Sequence, residues 1–249
     1  MKKIIAIGGG EIGRPGFPVE TTKIDKEIIN LTGKKSPKLL FIPTASGDSE
    51  LYFNTVNKHF GKILGCKVDV LYLTKEKLSK KEIEQKILGS DIVYVGGGNT
   101  LAMMKVWKKN GVDKILKQAY EKGIVLSGLS AGSICWFKWG ISDSKRFSNP
   151  KADLIKVSGL NLINALHCPH YDVEVGRKSD LKKMMMKTSG MAIAIDNCCA
   201  MEVIDGKYRI ISSKSHANAY RVYWKNGQYF EEIIKKEELL NPLNLLTKI

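Results

Sequence analysis

The sequence predicts an α/β protein: a mostly parallel central sheet covered by helices on both faces, with antiparallel strands added towards the C-terminus. Three observations carry this. Apolar segments alternate with amphipathic helical ones as far as about residue 138. Several of those segments, such as "KLLFI" and "IVL", are continuously apolar, as strands buried on both faces are. Beyond residue 190 short strand-like runs follow one another, two pairs of them joined by Asp-Gly and Asn-Gly turns.

Taken in order, "KKIIAIGG" (2–9) reads as a first strand that ends in glycines. Residues 21–33 read as a helix with a polar start and a glycine stop, and 38–45 as the second strand. An amphipathic helix is expected over 51–64, a strand over 67–73, and a Ser79-capped helix over 79–89. The strand at 91–98 runs into "GGG", helices follow at 99–111 and 111–123, and a short strand at 124–128 precedes "GLSAGS". A polar, Gly- and Pro-containing loop is expected after residue 138. The strands expected at 191–195, 199–205, 207–213, 220–224 and 228–234 read as additions to the same sheet, so residues 1–249 form one domain.

Size and composition narrow the function. With 249 residues and 43% hydrophobic content the chain can bury a large core. No apolar run approaches the roughly 20 residues of a membrane span, and "MKKIIAIGGG" enters a glycine turn too early for a signal peptide. Five cysteines without a CxxC pair argue against a zinc site or disulfide framework and suit a reducing cytoplasm. The net charge of +15 invites a nucleic-acid reading, but the lysines alternate with acids at helical spacing, as solvated helix faces do. No nucleic-acid, membrane or cofactor partner is expected, and the chain is expected to be a monomer or homodimer.

Three strands end in glycine clusters, at 8–13, 96–99 and 128–132. Strand carboxyl ends form the ligand crevice of open α/β sheets, so these turns should meet there. "GGGEIG" matches dinucleotide-binding spacing, yet "RPGFP" (14–18) breaks the helix that motif needs. "GLSAG" (128–132) matches the nucleophile elbow G-x-S-x-G, in which a serine sits on a cramped strand-to-helix turn between small residues. A small-residue βα turn would give the same letters; the strand before it favours the elbow. A serine needs a base. Of four histidines, His59 lies on an amphipathic helix, His167 and His170 lie in "ALHCPHYD", and His216 lies in "KSHANAY". Two triads can be drawn: Ser130, His170 and an acid near 196, or Ser130, Asp196 and His216 in hydrolase order.

"VGGGNT" (95–100), "GLSAGS", "CPHYD" (168–172) and "AIAIDN" (192–197), with "PTAS" (43–46), resemble peptidase family S51, which includes aspartyl dipeptidase (peptidase E) and cyanophycinase. The resemblance spans residues 2 to about 205 and implies a class I glutamine-amidotransferase-like, flavodoxin-like three-layer sandwich. It implies Ser130 as nucleophile, His170 as base, and the N–H groups of Gly98 and Ala131 as oxyanion hole. It implies a carboxylate where this chain has Asn197; both Asn197 and the adjacent Asp196 stay open as the group that orients His170. Gly97, Asn99, Arg146 and Arg177 are the substrate-binding expectations, with Lys145 as a further cation and Asp172 or Glu174 to hold a free amine. The implied activity is a serine peptidase acting on N-terminal aspartyl dipeptides. Cleavage of β-aspartyl peptides, and a catalytically degenerate small-molecule binder on the same scaffold, are the alternatives.

Overall fold

A computed structural model describes residues 1–174 and 176–247. Its first half is βα-alternating: β1 (Lys3–Ile7), α1 (Thr22–Asn30), β2 (Lys38–Ile42), α2 (Glu50–Val56), β3 (Lys67–Val70), α3 (Lys80–Leu88), β4 (Ile92–Val95), α4 (Thr100–Asn110), α5 (Val112–Glu121) and β5 (Val125–Leu129). Then come a single-turn helix α6 (Ala131–Ile134), β6 (Phe137–Ser142), β7 (Ile155–Ser158), β8 (Ile163–Cys168), α7 (Arg177–Met186), β9 (Ala192–Ile195), β10 (Cys199–Ile204), β11 (Lys207–Ser212), β12 (Ala219–Lys225), β13 (Gln228–Ile234), β14 (Asn241–Pro242) and α8 (Leu243–Thr247).

The first sheet has the order β14-β11-β10-β1-β5-β4-β2-β3, with β1, β5, β4, β2 and β3 parallel and β10 antiparallel to β1. Its central strands are buried on both faces because alternate residues serve two cores. Ile5, Ile7, Phe41 and Tyr94 pack with Ile24 and Ile28 of α1. Ile4, Ala6, Leu40 and Val93 face Met103, Trp107 and Leu116 of α4 and α5. This is the continuous apolar pattern read from the sequence, realised as helix layers on either side of a sheet. The Ser79–Glu82 capping box opens α3, and Gly111 turns left-handed (φ 72°) between α4 and α5.

Three expectations are corrected. The C-terminal strands do not all join the central sheet: β10 and β11 do, whereas β9, β12 and β13 form a second sheet, β13-β12-β9-β8-β6-β7. The chain changes sheet between Ile195 and Cys199, because β9 pairs in parallel with β8 (Leu166 opposite Ala192) whereas β10 pairs antiparallel with β1. The polar segment after 138 is not wholly loop, since β6 and β7 pair there with polar residues such as Lys138 and Lys156 turned outward. The helix of 51–64 is α-helical only to Val56; Asn57–Ile63 is π-helical, with Leu64 N–H donating to His59 O at 3.0 Å. The wider turn brings consecutive residues His59 and Phe60 inward, His59 to pair with the buried Asp25 at 2.8 Å. Both glycine hairpins form where expected, with Asp205 and Gly206 (φ 46° and 75°) and Asn226 and Gly227 (φ 52° and 76°) in the left-handed region.

Candidate active site

Ser130 follows β5 directly and adopts φ 57°, ψ −116°, a conformation that side chains other than glycine rarely accept. Crowding explains its neighbours. A Cβ on Gly128 would come within 2.6 Å of the carbonyl oxygens of both Val95 and Gly132, and one on Gly132 would overlap Val95 O. Ser130 N–H donates to Ile7 O at 3.2 Å, and its own carbonyl starts α6, accepting from Ser133 N–H at 2.9 Å and Ile134 N–H at 3.0 Å. The two glycines around the serine are thus an elbow, pinned to β1 behind and to β4 beside it.

His170 follows β8 with φ 55°, its N–H donating to Gly8 O at 3.1 Å. Its Nδ1 lies 2.7 Å from Asn197 Oδ1. A carboxamide oxygen only accepts, so Nδ1 carries a proton and Nε2 is the ring nitrogen free to exchange one. Asn197 N–H in turn donates to Asp172 Oδ1 at 2.9 Å. Asp196 points the other way, into the second sheet. Its Oδ2 accepts from Asn218 N–H at 2.8 Å and from Tyr220 O–H at 3.4 Å, and burial raises its pKa. Of the two neighbours, Asn197 alone meets the imidazole.

Ser130, His170 and Asn197 line one cavity of about 1110 Å³ at the carboxyl ends of β1, β4 and β5. All three glycine turns reach it. Gly9 has no room for a side chain, since a Cβ there would overlap both Asn197 Oδ1 and His170 Nδ1. A Cβ on Gly97 would sit 3.3 Å from Ser130 Cβ. Residues 10–20 form an irregular hairpin over the opening, held by the Ile12–Val19 bridge and by Glu20 N–H donating to Glu11 O at 2.7 Å. "GGGEIG" therefore opens this hairpin and not a phosphate-binding helix.

Other expected residues lie elsewhere. Asn99 caps α4, its Oδ1 accepting from Ala102 N–H at 3.0 Å and its Nδ2 donating to Ser144 O at 3.1 Å. Arg146 Nε donates to Ala152 O at 2.9 Å within its own loop, and Lys145 is exposed there. Arg177 is 2% exposed and paired with Glu174. None of these lines the cavity. Charge type marked the two arginines in the sequence, but charge type does not reveal that both are already engaged. Gly98 packs behind Gly97 against the Ala45 carbonyl, and Ala131 opens α6. His216 is exposed on a turn away from the cavity, which separates it from Ser130. His167 lies behind the elbow. Its Nδ1–H donates to Ile193 O at 2.9 Å, so Nε2 accepts from Ser133 O–H at 2.8 Å, and burial pushes its pKa down to about 3.

The cavity also contains groups that the sequence reading passed over. Arg14 and Lys58 are its cations, Arg14 paired with Glu11 and stacked 5.0 Å over Phe17. Glu20 pairs with Lys214, whose ammonium holds its carboxyl below the usual range. Tyr52 enters from α2. No periodicity signal distinguishes such residues from an ordinary amphipathic face.

The profile of Peptidase family S51 matches residues 4–211. Uncharacterized peptidase YgaJ of Bacillus subtilis (strain 168) is 36% identical over 226 residues, covering 89% of this chain and 92% of that protein. Uncharacterized peptidase Lmo0363 of Listeria monocytogenes is 33% identical over 145 residues, 57% of this chain and 68% of its own. A crystal structure of a peptidase from an acI-B1 Actinobacterium superposes with a TM-score of 0.68 over 95% of each chain at 18% identity, a likeness of fold. The chain is a peptidase and belongs to peptidase family S51.

Proposed function

We propose that this peptidase works through a serine acyl-enzyme, with Ser130 as nucleophile and His170 as base. The observation that carries the reading is the strained elbow of Ser130 opening into the same cavity as the His170–Asn197 pair. Ser130 Oγ attacks the scissile carbonyl carbon as His170 Nε2 takes the hydroxyl proton. The C–N bond then breaks and the proton passes to the leaving amine. Water, deprotonated by the same nitrogen, attacks the ester and releases the acid and free Ser130. Asn197 fixes the imidazole's tautomer and orientation without a carboxylate's charge. The N–H groups of Ala131 and Gly98 are the backbone donors for the oxyanion.

The substrate class that fits is a short peptide with an N-terminal aspartate. Lys58 and Arg14 bring positive charge to the cavity for its side chain, and Glu11 and Glu20 bring carboxylates for its free amine. Five unpaired, buried cysteines suit a reducing, cytoplasmic setting. The test is Ser130→Ala on a panel of Asp-Xaa and β-aspartyl dipeptides, with intact-mass detection of a fluorophosphonate adduct. Loss of hydrolysis and of the adduct in a folded variant is expected. Activity that survives Ser130→Ala overturns the serine mechanism, and cleavage confined to β-aspartyl bonds overturns the substrate assignment.

A further inference from the structure

The glycines of "GGG" at 96–98 have a second neighbour besides Ser130. A Cβ on Gly96 would come within 2.8 Å of Tyr52 Cε1 and about as close to the ring of Phe41, at 3.1 Å from its Cζ. Gly97 N–H donates to the Tyr52 hydroxyl oxygen at 3.2 Å. One glycine thus makes room for the Tyr52 ring, and the next holds its hydroxyl. The ring is clamped edge-on against Phe41, with centroids 5.0 Å apart, and the helix that delivers it is capped by Ser49. Gly97 is also the residue that abuts the Ser130 side chain. Tyr52 lines the cavity together with Ser130 and His170.

The hydrogen-bond count at this hydroxyl leaves one proton unassigned. Tyr52 Oη accepts from Gly97, and its own O–H has no acceptor among the described residues. A neutral phenol that accepts a hydrogen bond donates more strongly through its own proton, because the two bonds polarise each other. Burial pushes the Tyr52 pKa up to about 12, so the proton is present throughout the range in which an imidazole base works.

We propose that Tyr52 is a further catalytic residue, its O–H donating to the scissile carbonyl oxygen as negative charge develops there, alongside the backbone N–H donors. The arrangement is a relay of Gly97 N–H to Tyr52 Oη and Tyr52 O–H to substrate oxygen. It rests on Ser130 being the nucleophile, and it explains why a bulky aromatic is seated against a turn of three glycines. The step transfers no proton: the phenol donates a hydrogen bond and remains neutral.

The experiment measures Tyr52→Phe and Ser130→Ala side by side, on a dipeptide that the wild type cleaves and with a fluorophosphonate. Loss of one preorganised donor lowers kcat by about 100-fold. That loss is expected for Tyr52→Phe with KM within about threefold, and with labelling of Ser130 slowed by a similar factor, because the phosphonyl oxygen uses the same donors. Site-specific 3,5-difluorotyrosine at position 52 keeps the ring and the Gly97 contact but surrenders its proton at lower pH. It is expected to bring a loss of activity into the alkaline assay range where the wild type shows none. A residue that only filled space would move neither the labelling rate nor that limb. If Tyr52→Phe fails to fold, the difluorotyrosine profile decides. A kcat for Tyr52→Phe within threefold of wild type, or an unmoved alkaline limb, overturns the inference; an active Ser130→Ala instead overturns the serine reading on which it stands.

Discussion

The single contact between His170 Nδ1 and Asn197 Oδ1, 2.7 Å long, invites one substitution above others: Asn197→Asp. Aspartate has the shape of asparagine, so it fits beside Gly9, where any larger group would collide. The change replaces a dipole by a full charge beside the imidazolium that forms during catalysis. With charge centres about 5 Å apart, the attraction is about 1 kcal/mol in a water-like medium and about 3 kcal/mol at an effective dielectric of about 20. One pH unit corresponds to about 1.4 kcal/mol, so the acid limb of the pH–activity profile should move upward by about 0.6 to 2 units. The sign follows from the base being active when neutral: an added anion favours the protonated ring, which must then be titrated at higher pH. Asp172, held 2.9 Å from Asn197 N, repels a new carboxylate and draws the shift towards the smaller figure. Above the limb, kcat should rise by about tenfold, because the same attraction stabilises the imidazolium in the transition state. The assay is kcat and kcat/KM from pH 5 to 10 on one dipeptide. An unmoved acid limb with kcat at or below wild type would refute the assignment of Asn197 as the partner of the base.

Gly9→Ala should lower kcat by about 100-fold or more, because its methyl group displaces the His170–Asn197 pair; steady-state kinetics with circular dichroism on the same sample checks this. Asp196→Asn should leave activity within a few-fold of wild type and flatten the pH dependence of Tm. Burial raises the folded pKa of Asp196, so its contribution to stability is full below the unfolded carboxylate value and is lost as pH rises through the folded one. Asparagine cannot ionise and should remove that loss in thermal melts between pH 4 and 8. Ser133→Ala strips His167 Nε2 of its donor in a buried site and should cost about 1–3 kcal/mol in urea unfolding.

What was legible in the sequence is what local crowding and pairing write into consecutive letters. Gly128 and Gly132 flank Ser130 because neighbouring backbone leaves no space for side chains, and that requirement survives as G-x-S-x-G. Asp-Gly and Asn-Gly state their hairpins outright. Partners distant in sequence leave no such mark. Tyr52 reads as one aromatic on an amphipathic helix, although it reaches Gly97, 45 residues away. Arg177 reads as a free cation, although Glu174 neutralises it in the interior. The assignment of strands to two sheets was hidden for a related reason. β9 and β10 are both short and apolar, and only their pairing with β8 and β1 separates them.

That separation decides the chemistry at position 197. The chain leaves the second sheet after Ile195 and enters the first at Cys199, so Asp196 and Asn197 sit on the crossover and project in opposite directions. Asp196 is anchored by Asn218 N–H, its own N–H donates to Asn218 O at 3.0 Å, and Tyr220 reaches the same carboxylate. To serve His170, it would have to break these contacts. Proximity in sequence therefore gives no chemical redundancy. The carboxylate one residue away is committed to the second sheet, and the imidazole is left with an amide whose oxygen can orient it but carries no charge. The carboxylate of Asp172 is bonded to the backbone of Asn197 and is exposed to solvent. Its influence on the imidazole is screened, so in the proposed mechanism the base is positioned by geometry, through Asn197, with little electrostatic support.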